Sequence, residues 1–228
     1  MSTDLLLQAT KETFLMVVFS SFFAILIGLP FGIILTITRK GGIAENFPLY
    51  RILDGIINIL RSMPFIILMI VVFPLSRIIV GKTIGTVAAI VPLSISAAPF
   101  VARIMENAFN EVDSGIVEAS LSMGSSNLQI IFKVIIPEAL PSIINNITMT
   151  IINITGYSAM AGAIGGGGLG DVAIRYGWQR NVPSVLWPAI LIIVVFVQIV
   201  QFSGNKLSYI INKKSCWTLP AGSLSCII

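Results

Sequence analysis

The chain has 228 residues, 56% of them hydrophobic and only 11% charged, with a mean hydropathy of +0.96. A soluble domain carries about a quarter charged residues, and this apolar excess cannot all be buried in one core of 24.5 kDa, so a water-soluble globule is excluded and a bilayer protein is implied. The absence of histidine removes His-based triads and most zinc and haem sites, and scattered basic residues with a net +4 fit topology signals better than a nucleic-acid surface.

Charge-free runs long enough for about 20 helical residues mark the spans in chain order. Residues 13–38 are the first, with no basic leader or small-residue cleavage site before them, which predicts that no signal peptide is removed. The second covers 53–75, where Arg61 sits near one end and Pro64 and Pro74 suggest bends. The third is 83–102. The fourth, 142–163, lies in an uncharged stretch that also holds a glycine-rich turn, and the fifth is 184–205. The expected fold is all-α and polytopic, with five transmembrane helices, a short N-terminal segment 1–12 and a tail over 209–228. Eight basic residues lie on the face of the 1–2 loop, the 3–4 loop and the tail, against five on the other. The positive-inside bias therefore predicts a periplasmic N-terminus and a cytoplasmic tail.

The connection between the third and fourth spans, about 106–140, is the most informative segment. Asp113 or Ser114 can cap a short helix over 115–123, and Gly124 suits the left-handed residue that ends it. Ser126 and Gln129 have capping-box spacing for a second helix through Lys133. Pro137 is expected to stop that helix, and Pro141 fits the first turn of the fourth span. Two short helices at the membrane surface make a rigid docking surface.

Glu118-Ala119-Ser120, Gly124 four residues later and Pro137 thirteen beyond it resemble the EAA coupling loop of binding-protein-dependent ABC importer permeases. Ser120 and Val134 depart from that pattern, replacing an alanine and an isoleucine. The segments RSMPFIILMIVVFPLSRIIVG, IVPLSISAAPFVARIMENA, KVIIPEALP and GYSAMAGAIGGGGLG resemble the methionine-importing branch of the family, over roughly residues 10–208. The last residues, SCWTLPAGSLSCII, which hold both cysteines, do not, and read as a frameshifted or lineage-specific tail.

The resemblance implies a type I ABC importer permease fold in a bacterial inner membrane. It implies a homodimer joined to two ATP-binding subunits, with an extracytoplasmic substrate-binding protein docking outside. The chain itself is then no enzyme and has no catalytic or metal residue. It binds no cofactor, while ATP and magnesium belong to the partner ATPase. Transport of methionine by alternating access follows, with another small amino acid as the alternative. A stand-alone secondary transporter is the rival of another class, but no inverted repeat or mid-span acid points to it.

Other signals have competing readings. Gly168-Leu169-Gly170-Asp171 spells the G-x-G-D string of intramembrane aspartyl proteases, yet no second aspartate lies mid-span, so a glycine-rich turn is the better reading. The chain has no phosphate-binding P-loop motif, so nucleotide chemistry needs another subunit. Gly28 and Gly32 form a G-x-x-x-G motif, read as packing within the chain in preference to a dimer contact. Asp54 and Arg61, seven residues apart, read as headgroup anchors. Asn146, Thr150, Asn153, Tyr157 and Met160 fall on one stripe of the fourth span. Amides facing lipid lose hydrogen bonds, so this stripe either lines the translocation path or hydrogen-bonds neighbouring helices.

Overall fold

The computed structural model describes residues 2–218, so most of the atypical tail lies outside the described residues. Every regular element among them is helical. The long helices are α1 (Ser2–Thr38), α2 (Phe47–Ser62), α3 (Phe65–Val80) and α4 (Thr86–Asn110). A short set follows: α5 (Ser114–Ser122), α6 (Asn127–Ile130) and α7 (Ile136–Glu138). Then come α8 (Leu140–Ala161), the short α9 (Gly168–Asp171) and α10 (Pro183–Thr218). Four helices (α1, α4, α8 continued to Gly166, and α10) are long and apolar enough to cross a membrane, and α2 with α3 makes a fifth crossing if the bent pair is counted as one span.

The bundle is organised around α4, the most buried of the four spans. It lies against α1 so closely that a side chain at Gly28 would meet Val101 Cβ at 2.6 Å and one at Gly32 would meet Met105 Cβ at 2.8 Å. In lipid, where apolar side chains gain little by leaving the solvent, backbone approach of this kind is what holds helices together. The G-x-x-x-G motif thus packs within the chain, as its spacing suggests. Val17, Ala24, Ala97, Val101 and Met105 continue the same seam. On the other side, α8 packs against α4 and α10, and Gly204 of α10 lets Thr148 of α8 approach. The free face of α10 carries Trp187, Leu191, Val194, Val195, Ile199 and Phe202, all exposed as lipid-facing side chains are.

Five elements differ from the sequence-based expectation. The second span is not one helix over 53–75. It breaks at Met63-Pro64, and its halves meet at 108°. Pro64 has no N–H to continue the preceding helix and forces Met63 into extended backbone, ψ 136°, whereas Pro74 is absorbed inside α3. The third span runs on to Asn110, which moves Glu106 out of the loop and into α4. The helix after Ser126 does not stop at Pro137. It widens into a π turn over Ile131–Ile135, with the Ile136 N–H donating to Ile131 O, and proceeds through the proline. Finally, α1 begins by Ser2 and α10 continues to Thr218, because charges that end a bilayer crossing do not end a helix.

The α1–α4 seam yields a direct test. Gly28→Ala places a methyl group inside contact distance of Val101 and should lower the stability of the purified protein by ~1–3 kcal/mol. Gly55→Ala, in open space on α2, should be neutral or stabilising by up to ~1 kcal/mol. Thermal unfolding in one detergent compares the two.

Candidate coupling surface and translocation path

Helix α5 is closed at both ends by its own residues. Asp113 Oδ1 accepts from the Gly115 N–H at 2.7 Å and caps the start. At the other end Gly124 has φ +81°, its N–H donates to Leu121 O at 2.9 Å, and the Ser125 N–H reaches back to Ser120 O at 3.2 Å. This pair of bonds is a Schellman motif, and it needs a left-handed residue where Gly124 stands. The next helix starts with the expected capping box: Ser126 N–H donates to Gln129 Oε1 and Gln129 N–H to Ser126 Oγ, at 2.9 and 3.4 Å.

The residues singled out in this loop divide by direction. Glu118 and Ala119 point outward, while Ser120 is buried and its hydroxyl donates to Ile116 O at 2.8 Å. That internal bond is why a serine fits where the family pattern has alanine. Ile116, Leu121, Met123, Leu128 and Phe132 are exposed on the same loop as Glu118, an apolar surface on short helices outside the long spans. Beneath α5 the loop is anchored: Ile130, Ile131 and Ile135 are buried, two of them in the core with Phe109 and Met105. A cavity of about 110 Å³ separates α5 from the end of α1 and is lined in part by Thr36, Arg39, Phe109, Val117 and Glu118. Pro137 lies in the run that joins this anchor to α8. Just after α4, Glu111 accepts a hydrogen bond from Ser142 at the start of α8, so the loop is tied to two spans at once.

The polar stripe of α8 does not behave as one unit. Asn146 Nδ2 donates to Ile104 O of α4 at 2.7 Å, and Thr150 is fully buried with its hydroxyl on Asn146 O at 2.8 Å. These two serve helix packing. Tyr157 stacks on Phe65 of α3, with ring centroids 3.8 Å apart and planes at 9°. Asn153 is half-buried. Met160 is 47% exposed, on a face it shares with Asn145, Met149 and Gly156.

Beyond α8, Gly167 and Gly168 both have φ +79°. The start of α9 is capped from α1: Gly168 N–H donates to Glu12 Oε2 and Leu169 N–H to Thr13 Oγ1, both at 2.8 Å. Asp171 pairs with Arg175 at 3.2 Å, one helical turn on. The left-handed glycines lie at 165–168, at the entry to this segment, whereas Gly168–Asp171 itself is the short helix α9, which corrects the reading of that string as a turn.

One polar cluster was not foreseen. Arg103 of α4 forks to Glu106 Oε2 at 2.7 Å, to Asn58 Oδ1 at 3.0 Å and to Asp54, and Asn58 Nδ2 donates to Asp54 Oδ2 at 3.0 Å. The Tyr50 hydroxyl reaches Glu106 Oε1 at 3.5 Å. Asp54 is therefore engaged with α4, which corrects its reading as a headgroup anchor, while Arg61 remains exposed. The signal was there in the helical spacing of Tyr50, Asp54 and Asn58, a polar stripe at i, i+4 and i+8 on α2. Its partner could not be named without the fold.

Four or five apolar crossings, with the capped helix α5 presented between two of them, define a polytopic membrane protein among the described residues. Residues 28–212 match the family described as binding-protein-dependent transport system inner membrane component, and the chain belongs to that family. It is 50% identical over 207 residues to the probable D-methionine transport system permease protein MetI of Vibrio cholerae, covering 91% of this chain and 92% of that one. The D-methionine transport system permease protein MetI of Escherichia coli (strain K12) is 51% identical over 158 residues, covering 69% and 73%. Among solved structures, a chain of the MetNI methionine ABC transporter in an inward-facing conformation superposes with a TM-score of 0.89 at 45% identity, covering 91% and 96%. The fold is that of a type I ABC importer permease.

Asp113→Ala and Gly124→Ala each remove one end of the α5 cap and should loosen that helix by ~1 kcal/mol. Amide exchange within α5 should then rise about fivefold, with the buried amides of α4 unchanged.

Proposed function

We propose that this chain is the permease of an ATP-driven methionine importer. The observation that carries the reading is the preformed α5 surface, with Glu118 and Ala119 outward among exposed apolar side chains on a loop tied to both α4 and α8. Relatives of about half identity that are named D-methionine permeases support the substrate. The working assembly is two copies of this chain with two ATP-binding subunits, which hold ATP and magnesium, and a substrate-binding protein on the far side. The N-terminus is periplasmic and the tail cytoplasmic. Nucleotide-driven motion of the docking loop switches the spans between inward and outward access. The ligand contributes only through its different affinity for the two.

The path runs along the exposed face of α8. Asn145, Met149, Gly156 and Met160 make a face unlike the bulky apolar one that α10 presents, and this supports its turning toward the second copy instead of lipid. Of the stripe, Asn153, Tyr157 and Met160 border that face, with Asn146 and Thr150 behind it. Met160, flexible and next to Ala161-Gly162-Ala163, suits a narrow point that opens and closes.

Glu118→Lys reverses the docking charge, and Gly124→Pro cannot adopt the left-handed backbone. Either should abolish uptake while the protein still inserts. Normal uptake and normal ATPase association in either variant would overturn the docking assignment. Met160→Ala should fold normally yet leak small solutes or uncouple ATP use from uptake. Ile152→Ala is the control, and equal behaviour of the two would make Met160 a packing residue. Cysteines at Ser2 and Ser215 should label from opposite sides of the membrane. Competition by a panel of amino acids against labelled methionine, in vesicles holding the full complex, tests the substrate.

A further inference from the structure

We propose that Arg103 is a positioning residue that latches α2 to α4 at the docking-loop end of the spans, and that α2 is an arm released and re-engaged during each transport cycle. The inference rests on the reading of the chain as an ATP-coupled permease.

Three observations converge on α2. It is weakly packed: Ile57 is its one buried side chain, in a small cluster with Leu35 and Ala102. An apolar gap of about 180 Å³ separates its Leu53, Ile56 and Leu60 from Ile27 and Phe31 of α1 and from Ala98 and Pro99 of α4. Its far end is the 108° break at Met63-Pro64, where α2 stops before α3 begins. Beside the small apolar contact at Ile57, the polar cluster is what joins α2 to the bundle.

The cluster has the character of a latch and not of a permanent weld. On α4, Arg103 and Glu106 pair one turn apart, and Glu106 is only 2% exposed. If α2 leaves, that pair keeps its ionic partner and loses only the 3.5 Å hydrogen bond from the Tyr50 hydroxyl of α2. The half that crosses between helices, from Arg103 to Asp54 and Asn58, is more exposed, with 27% of the Asp54 side chain accessible. The buried Arg103 Nε has no hydrogen-bond partner, so the guanidinium is not fully satisfied in this arrangement. An incompletely satisfied charged network is one whose alternative arrangement is not prohibitively worse. Arg103 also stands two turns before the end of α4, and only residues 111–113 separate α4 from α5. Motion of the docking helix therefore reaches the latch through one rigid rod.

Arg103→Lys tests the role without leaving Glu106 unpaired. A lysine keeps the charge but cannot fork to Glu106, Asp54 and Asn58 together. The variant complex should assemble and hydrolyse ATP while uptake per ATP falls about tenfold. Asp54→Asn should move the ratio in the same direction. A second measurement uses Ile57→Cys with Ala102→Cys, in a chain whose Cys216 and Cys226 are serine. Oxidation in the nucleotide-free complex should form a disulfide that stops uptake, and reduction should restore it. A wild-type uptake ratio in Arg103→Lys would overturn the latch. So would a disulfide that forms in no nucleotide condition, or one that forms and leaves uptake intact. The disulfide is also read on the permease in detergent, independently of transport. Loss of ATP-driven uptake in the wild-type complex would instead strike at the permease reading.

Discussion

The close approach of α1 to α4 is the contact on which the other elements depend. Two glycines one turn apart, Gly28 and Gly32, allow α1 to lie directly against Val101 and Met105. With lipid outside as apolar as the side chains within, van der Waals contact at that seam has to replace the hydrophobic drive of a soluble core. Once α4 is fixed there, its remaining faces are available. One receives α8 through the Asn146–Ile104 bond, another carries Arg103 toward α2, and its end leads into the α5–α7 loop. The same α1 also closes the glycine turn at the far side, through Glu12 and Thr13. A single helix pair thus positions both the α5–α7 loop and the turn at the opposite end of the bundle.

What could be read in the sequence was what physics makes local. The spans follow from the length of apolar chain a bilayer requires, and the caps of α5 and α6 depend on residues no more than a few positions apart. Asp113, Gly124, Ser126 and Gln129 accordingly stand as expected. What could not be read was tertiary. Whether Pro64 or Pro74 breaks the second span depends on what each helix half packs against. Pro137 looks like a stop signal because the ordinary helix has no place for it. The π turn before it supplies one, and buried Ile130, Ile131 and Ile135 hold that turn in place.

The α8 stripe illustrates the same limit at a single helix. The period of Asn146, Thr150, Asn153, Tyr157 and Met160 is real, but a helical stripe has width. Asn146 and Thr150 lie at the edge that meets α4, whereas Met160 lies at the edge left half open in this chain. Spacing places residues on a face without saying what covers it. Arg103 stands in the sequence as one more basic residue near the 3–4 loop for the corresponding reason: its α2 partners, Asp54 and Asn58, are 45 residues or more away.

The self-capping of α5 has a thermodynamic consequence. Because Asp113 and the Gly124 turn already fix α5, its backbone would surrender little conformational entropy to any partner that covered it. The exposed side chains of Leu121, Met123 and Leu128 are then what leaves water. Calorimetry of subunit assembly should accordingly give a negative heat-capacity change set by that apolar area, without the large opposed enthalpy and entropy of a segment that folds as it binds.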